Sequence, residues 1–258
     1  MKTIVSRDGT SIAVDQVGDG PPIVIVVGAF NDRATGAPLA DVLKSDFTVY
    51  NYDRRGRGDS GDMQPYAIER EIEDLGAVIA EAGGSPFVFG YSSGGVLALD
   101  GAGRELPMTK LAVYEVPLAA DGPLWTVDHA AELARLIEAG RRGDAVEYFQ
   151  AKVVGIPEVI VAQLRQAPFR PALEAMATTL VYEATIVGDG SLPIDLVRSV
   201  KVPTLAIAGG ASAPFMRETA DAIARALPNG RSLALEGQTH DIEASVLGPL
   251  LAQFFLRD

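Results

Sequence analysis

Residues 87–95 read FVFGYSSGG, an apolar run suited to a buried strand that stops abruptly in glycines with two serines between them. Residues 90–94 match the pattern G-x-S-x-G with Ser92 at its centre, whereas a frame centred on Ser93 would need a glycine at Tyr91. In such a strand-to-helix turn the strained backbone lifts the serine hydroxyl clear of the chain, and the start of the helix aims N–H groups at the reacting centre. The stretch therefore predicts that Ser92 is a nucleophile, and the alternative is a plain loop with a capping serine.

Strand and helix patterns alternate along the first part of the chain. Strands are predicted at residues 3–6, 11–17, 21–28, 47–53, 87–91 and 111–116, and helices at about residues 38–44, 65–82 and 94–105. The run PPIVIVVG at residues 21–28 is continuously apolar, which is typical of a strand buried on both faces. The alternation predicts an α/β fold with a mainly parallel central sheet and helices on both of its faces.

The rhythm changes after residue 116, where the pattern becomes almost wholly helical up to residue 200. This block is too long for a simple crossover between two strands, and we interpret it as a helical insertion over one end of the sheet. Strand patterns resume in VPTLAIAGG at residues 202–210 and SLALEGQTH at residues 232–240, and a closing helix covers about residues 244–256. We therefore expect a core domain of residues 1–116 and 201–258 and a helical cap insertion of residues 117–200.

Composition excludes several classes of function. With 34 acidic against 22 basic residues the net charge is −12, which repels nucleic acid and anionic membranes. The chain has no cysteine, so disulfides and thiolate chemistry are excluded. The N-terminus does not resemble a signal peptide, and no apolar run approaches the roughly 18 residues of a transmembrane helix. We expect a cytoplasmic protein with a small-molecule substrate and no cofactor or metal, and homo-oligomerisation is left open.

Two further motifs accompany the serine turn. Residues 52–60 read YDRRGRGDS, which contains D-x-R-G-x-G-x-S, and residues 236–240 read EGQTH, which contains G-x-x-H. With the turn around Ser92, these motifs stand in the order found in the α/β-hydrolase fold family, which the chain resembles over nearly its whole length. It is most similar to the small single-chain members, which include cofactor-free haloperoxidases, esterases and carbon–carbon bond hydrolases. The resemblance implies an α/β-hydrolase fold with a serine nucleophile.

A serine hydroxyl needs a base to take its proton, and the chain offers two histidines. His240 follows the last predicted strand, where the resemblance places the base of the family. His129 lies on the first helix of the insertion, where a lone histidine is more often solvated or capping than catalytic. We therefore predict that His240 acts as the general base and then as the general acid.

The acid of the triad is missing from its usual place. In most of the family it follows the penultimate strand, but residues 208–215 read AGGASAPF, and Ser212 stands about where an aspartate is expected. Glu115 ends the strand after the nucleophile helix, a position that some branches of the family, such as the haloalkane dehalogenases, use for their acid. It also keeps the order Ser, Glu, His, so we predict Glu115 as the acid. The alternatives are a solvent-facing Glu115, the neighbouring Asp241, or a dyad without an acid.

Acyl transfer also needs donors for the developing oxyanion. One donor is expected to be the backbone N–H of Ser93, just after the nucleophile. The second normally comes from the loop after the strand at residues 21–28, where the family has His-Gly and this chain has Val27-Gly28. Because a backbone donor needs no particular side chain, we predict the N–H of Ala29, or that of Phe30, for this role.

These residues predict a cofactor-independent serine hydrolase. Its substrate would be an ester, thioester, lactone or activated carbon–carbon bond of a small, largely apolar acyl compound, cleaved through an acyl-enzyme. The carboxylate-free loop at residues 208–215 motivates an alternative from another class. In that case the chain would be a non-hydrolytic, ligand-binding member of the fold with a degenerate triad.

Overall fold

The computed structural model describes residues 1–257, which form one eight-stranded sheet with helices on both faces. The strand order is β1-β2-β4-β3-β5-β6-β7-β8. The bounds are β1 (Lys2–Val5), β2 (Ser11–Val17), β3 (Pro22–Val26), β4 (Thr48–Tyr52), β5 (Phe87–Tyr91), β6 (Leu111–Tyr114), β7 (Thr204–Gly209) and β8 (Gly230–Leu235). Strands β1, β2 and β4 pair antiparallel, and all other neighbours pair parallel. The predicted mainly parallel α/β sheet is confirmed.

In the described residues, five helices cover the sheet: α1 (Arg33–Leu43), α2 (Ile68–Glu81), α3 (Ser93–Gly103), α10 (Pro214–Ala226) and α11 (Ala244–Leu256). Helices α2, α3 and α10 pack on one face, and α1 and α11 pack together on the other. Strands β3, β5, β6 and β7 are almost wholly buried because apolar helix faces cover both of their sides. This double burial explains why their sequences are continuous apolar runs rather than alternating ones.

Helix α1 begins five residues before the predicted start at residue 38. Gly36 and Pro38 lie inside it, and both residues argue against a helix at the level of sequence. The Asp32 side chain caps the first turn by accepting a hydrogen bond from the N–H of Thr35. Gly36 is required there, since a Cβ at this position would come within 2.5 Å of the Asn51 side-chain oxygen.

Six helices lie between β6 and β7, and we call them the inserted helices. They are α4 (His129–Glu138), α5 (Arg142–Tyr148), α6 (Glu158–Leu164), α7 (Arg170–Ala175), α8 (Thr179–Val187) and α9 (Ile194–Ser199), with a π-helical turn at Phe149–Val153. Buried residues of α4, α5 and α8 form an apolar cluster of their own, and Ala29 and Phe30 from the loop after β3 pack against it. The inserted helices therefore contact the edge of the sheet at which β3 and β5 end. The cap boundaries at residues 117 and 200 stay predictions.

Within residues 1–257, no helix combines the length and the apolar character needed to cross a membrane.

Candidate active site

Ser92 lies at the junction between β5 and α3, in a backbone conformation that L-residues rarely adopt. Its φ is 55° and its ψ is −127°. Such a conformation costs on the order of 1–3 kcal/mol and persists only where the surroundings enforce it. Here the Ser92 N–H donates to the Tyr114 carbonyl at 2.9 Å, while the Ser92 carbonyl accepts from the N–H of Gly95 at 2.9 Å. The turn therefore holds the Ser92 side chain at the carboxyl edge of the sheet.

Glycines allow the turn to approach the loop after β3. A Cβ on Gly28 would lie 2.7 Å from Ser92 Cβ and 3.3 Å from Ser92 Oγ. A Cβ on Gly94 would collide with the carbonyl oxygen of Val26. Both approaches are closer than any side chain permits, so the loop that begins at Gly28 lies directly beside the Ser92 hydroxyl.

Glu115 and His240 meet at the same edge. Nδ1 of His240 lies 3.2 Å from Oε2 of Glu115, and Oε1 of Glu115 accepts the N–H of Gly209 at 2.6 Å. Glu115 follows β6 with a φ of 55° and is only 1% exposed. Its alternative as a solvent-facing residue is therefore wrong.

The His240 ring lies beside the nucleophile turn. The His240 ring is tilted against the Tyr91 ring, with 5.2 Å between the ring centres. About half of the His240 side chain is exposed. The hydroxyl of Tyr114 donates to the Thr239 carbonyl, which fixes the backbone just before the histidine. Tyr91 and Tyr114, the residues just before Ser92 and Glu115, thus both contact the segment that carries His240.

The Glu115 carboxylate is held in its ionised form. Burial opposes ionisation, but the hydrogen bonds from His240 and the Gly209 N–H outweigh it, and the pKa of Glu115 lies below its usual value. The Ser212 hydroxyl lowers the pKa of Glu115 further, although within residues 1–257 its Oγ makes no regular hydrogen bond. Ser212 stands in the loop where most of the family has its acid. It therefore lies close to Glu115, the carboxylate that pairs with His240 in this chain.

Two contacts of His240 that the sequence analysis raised, with Ser92 and with Asp241, are not formed as hydrogen bonds in residues 1–257. Within residues 1–257, no hydrogen bond joins Ser92 Oγ to His240, and none joins Asp241 to the His240 ring. In unliganded enzymes such catalytic contacts are often long and tighten only with substrate. His129 is buried rather than solvated, and its Nδ1 lies 2.8 Å from the Tyr148 hydroxyl among the inserted helices. It lies outside the group around Ser92.

The two predicted oxyanion donors flank the serine. In the described chain, neither the N–H of Ser93 nor that of Ala29 has a hydrogen-bond acceptor. Ser93 is the first residue of α3, where an N–H has no partner inside the helix. Ala29 follows Gly28, which lies against Ser92. Both N–H groups are therefore available to a ligand.

Sequence reasoning missed a buried group of charged side chains that lies against the loop after β3. Arg54, Arg57, Glu71 and Glu183 are each at most 2% exposed and pair with one another. A run of arginines in a loop is usually solvated, so YDRRGRGDS gave no sign that its side chains point inward. The available signal was the family motif itself, which marks the loop without assigning these contacts. Across residues 1–257, no three acidic or histidine side chains are grouped to bind a metal.

A sequence profile described as the alpha/beta hydrolase family matches residues 23–247. The chain belongs to this family. A solved α/β hydrolase from Sphaerobacter thermophilus DSM 20745 is 50% identical to this α/β-hydrolase, with a TM-score of 0.92, and the match covers 98% of this chain and 100% of the other. The predicted family is confirmed, and the protein is an enzyme of the hydrolase class.

Two curated proteins are more distant relatives of this α/β-hydrolase. The 3-oxoadipate enol-lactonase 1 of Acinetobacter baylyi is 26% identical over 225 residues, or 81% of this chain and 78% of the lactonase. The uncharacterized hydrolase YraK of Bacillus subtilis is 34% identical over 96 residues, which cover 36% of this chain and only 35% of that protein.

Proposed function

We propose that this α/β-hydrolase is a cofactor-independent serine hydrolase that works through an acyl-enzyme. Ser92 attacks a carbonyl carbon while His240 takes the hydroxyl proton, and Glu115 holds the imidazole and stabilises its charged form. His240 then protonates the leaving group and activates the water that releases the acyl product. The single observation that carries the proposal is the Glu115–His240 hydrogen bond beside the strained Ser92 turn.

The oxyanion of the tetrahedral intermediate would bind the free N–H groups of Ser93 and Ala29. One such donor contributes roughly 10²–10³ in rate, because it is already oriented toward the charge that develops. Both N–H groups lack an acceptor in residues 1–257, which supports this role, because neither has to break an existing hydrogen bond in order to bind the oxyanion.

The substrate we propose is a small, largely apolar ester, thioester, lactone or activated carbon–carbon compound. The apolar cluster of the inserted helices packs on Ala29 and Phe30, beside the proposed oxyanion site, which supports an apolar roof formed by the cap at residues 117–200. A relative named as an enol-lactonase supports the lactone within this range. The net charge of −12 favours a small molecule over nucleic acid.

The ligand-binding alternative rests on the carboxylate-free loop at residues 208–215. Glu115 brings a buried carboxylate to His240 from the neighbouring strand, so the observation behind that alternative is weakened. We therefore favour the hydrolase.

The test compares the turnover of p-nitrophenyl acetate and butyrate by the wild type, Ser92→Ala and Ser93→Ala. We expect Ser92→Ala to lose at least about 10³ in kcat, because the nucleophile is removed. Ser93→Ala is the matched control, since it keeps the backbone N–H and should retain activity. A fluorophosphonate should label the wild type but not Ser92→Ala. Equal turnover by the wild type and Ser92→Ala, with no labelling of either, would refute the proposal.

A further inference from the structure

The peptide bond between Gly28 and Ala29 is held from below by a buried arginine. Nη1 of Arg57 donates to the Gly28 carbonyl at 2.5 Å and to the Asn31 carbonyl at 3.2 Å. Arg54 donates to the preceding carbonyl, that of Val27, at 3.1 Å. Two guanidinium groups thus fix the carbonyls on one side of the loop beside Ser92.

Fixing this carbonyl also fixes the N–H that we assign to the oxyanion site. In a trans peptide the C=O and the N–H point in opposite directions, so the hold of Arg57 on Gly28 turns the N–H of Ala29 away from the arginine. That N–H is without an acceptor in residues 1–257, and Gly28 itself lies against Ser92. A cation on the carbonyl also polarises the peptide and strengthens its N–H as a donor.

Arg57 is positioned in turn by an inserted helix. Its Nη2 pairs with Oε1 of Glu183 on α8, and the same oxygen lies 3.0 Å from Nη1 of Arg54. Glu71 neutralises Arg54 through two hydrogen bonds of 2.7 and 2.8 Å, which leaves Glu183 to balance Arg57. All these side chains are buried, so neither charge is screened by water.

The guanidinium keeps its proton at neutral pH. Burial and the neighbouring Arg54 lower the pKa of Arg57 to about 9. A buried cation of this kind needs its counterion, and removing Glu183 would leave it unpaired. Glu183 on α8 is therefore the counterion that Arg57 needs in its buried position.

We propose that Arg57 and Glu183 are positioning residues that orient the Ala29 N–H for the oxyanion and couple it to the inserted helices. This inference rests on the serine-hydrolase function proposed above. It is separate from the family motif, since the arginine fixed in D-x-R-G-x-G-x-S is Arg55. Arg55 pairs instead with Asp74 on α2 and with Asp8 in the turn between β1 and β2.

The experiment compares Arg57→Lys, Glu183→Gln and Glu183→Asp with the control Arg55→Lys, which disturbs an ion pair of equal burial away from the loop. We expect the first three to lower kcat for p-nitrophenyl butyrate by roughly 10–100-fold with KM changed less than about threefold, because a displaced donor acts on the transition state. The control should lower the thermal unfolding temperature without a comparable loss of kcat. If Arg57→Lys does not fold, Glu183→Asp, which keeps the charge and shortens the side chain, decides.

A second readout does not depend on activity. The amide resonances of Ala29 and Phe30 should move in Arg57→Lys and the Glu183 variants but not in Arg55→Lys. Moved resonances in an enzyme without Ser92-dependent turnover would sustain the positioning and refute the proposed function. Unmoved resonances, or a kcat within about threefold of the wild type in a hydrolase that depends on Ser92, would overturn the positioning role.

Discussion

At the scale of the residue, Ser92 and Glu115 share an unusual feature. Each directly follows one of two neighbouring strands and has a φ of 55°. A non-glycine residue with positive φ is uncommon, and two side by side are held by hydrogen bonds from their own N–H groups to Tyr114 and Ile207. Strain of this kind gathers where function needs a side chain in one fixed direction.

Moving the acid provides a sharp test of Glu115. Glu115→Gln should lower kcat by about 10⁴, because the amide cannot stabilise the charged imidazole. Adding Ser212→Asp to this variant should restore part of the loss, since Ser212 already lies close enough to act on the Glu115 carboxylate. Steady-state kinetics with p-nitrophenyl butyrate measures both steps.

Asp241→Asn is the matched control for this series, and it should change kcat little. A large loss in Asp241→Asn together with a small loss in Glu115→Gln would assign the acid to Asp241 instead. A Ser212→Asp addition without any recovery would show that the usual place of the acid no longer reaches His240.

Stability should depend on pH through Glu115. Its pKa in the folded protein lies below its usual value of 4.5, so the unfolded chain binds the proton more readily than the folded one. The stabilisation is therefore present above pH 4.5 and is lost as the pH falls through the folded-state pKa. Urea unfolding at neutral and acidic pH should show the wild type losing its advantage over Glu115→Gln as the pH falls. An advantage that grows toward acid would contradict the direction of the shift.

At the scale of the element, the approach of the loop after β3 to the nucleophile turn depends on Gly28. Gly28→Ala should lower kcat at least about tenfold, because its Cβ would lie 2.7 Å from Ser92 Cβ and must push the two elements apart. Gly76→Ala is the control, since its Cβ on α2 would meet its nearest atom at 3.4 Å and alanine favours the helix. Kinetics and thermal unfolding of both variants check this. A fully active Gly28→Ala would show that the loop is not held against Ser92.

The elements also show how far the sequence alone leads. Strands β3, β5 and β7 were predictable because burial on both faces leaves an apolar signature. The start of α1 could not be predicted, because Gly36 is needed there for its close contact with Asn51 on β4, which no local pattern shows. The inward direction of Arg57 was hidden for the same reason, since its partner Glu183 is 126 residues away. Local patterns carry local structure, whereas pairing across the fold needs the structure itself.

At the scale of the whole molecule, the strand order explains how the candidate site assembles. Ser92 follows β5 and Glu115 follows β6, and His240 must reach them from beyond β8 by passing over the end of β7. Gly209 makes this passage possible, since a Cβ there would come within 2.7 Å of the Gln238 carbonyl carbon. The N–H of Gly209 meanwhile binds Glu115. Strand β7, after which most of the family has its acid, here contributes Gly209, which leaves space for Gln238 and donates a hydrogen bond to Glu115.

The inserted helices and the sheet meet at this same edge. Phe30, on the loop after β3, packs edge to face with Phe149 at 5.5 Å, while Glu183 reaches the arginines beneath that loop. The proposed oxyanion loop is therefore held between the two parts of the molecule.

The central claim is that Ser92 becomes acylated during turnover, and the most direct test is to identify the acylated residue. The enzyme is mixed with p-nitrophenyl butyrate, quenched in acid within the first turnovers, digested, and sequenced by mass spectrometry. We predict one butyryl group on Ser92, with a burst of p-nitrophenol close to the enzyme concentration. Acylation of Ser93 or another residue, or turnover that passes through no acylated residue, would contradict the mechanism.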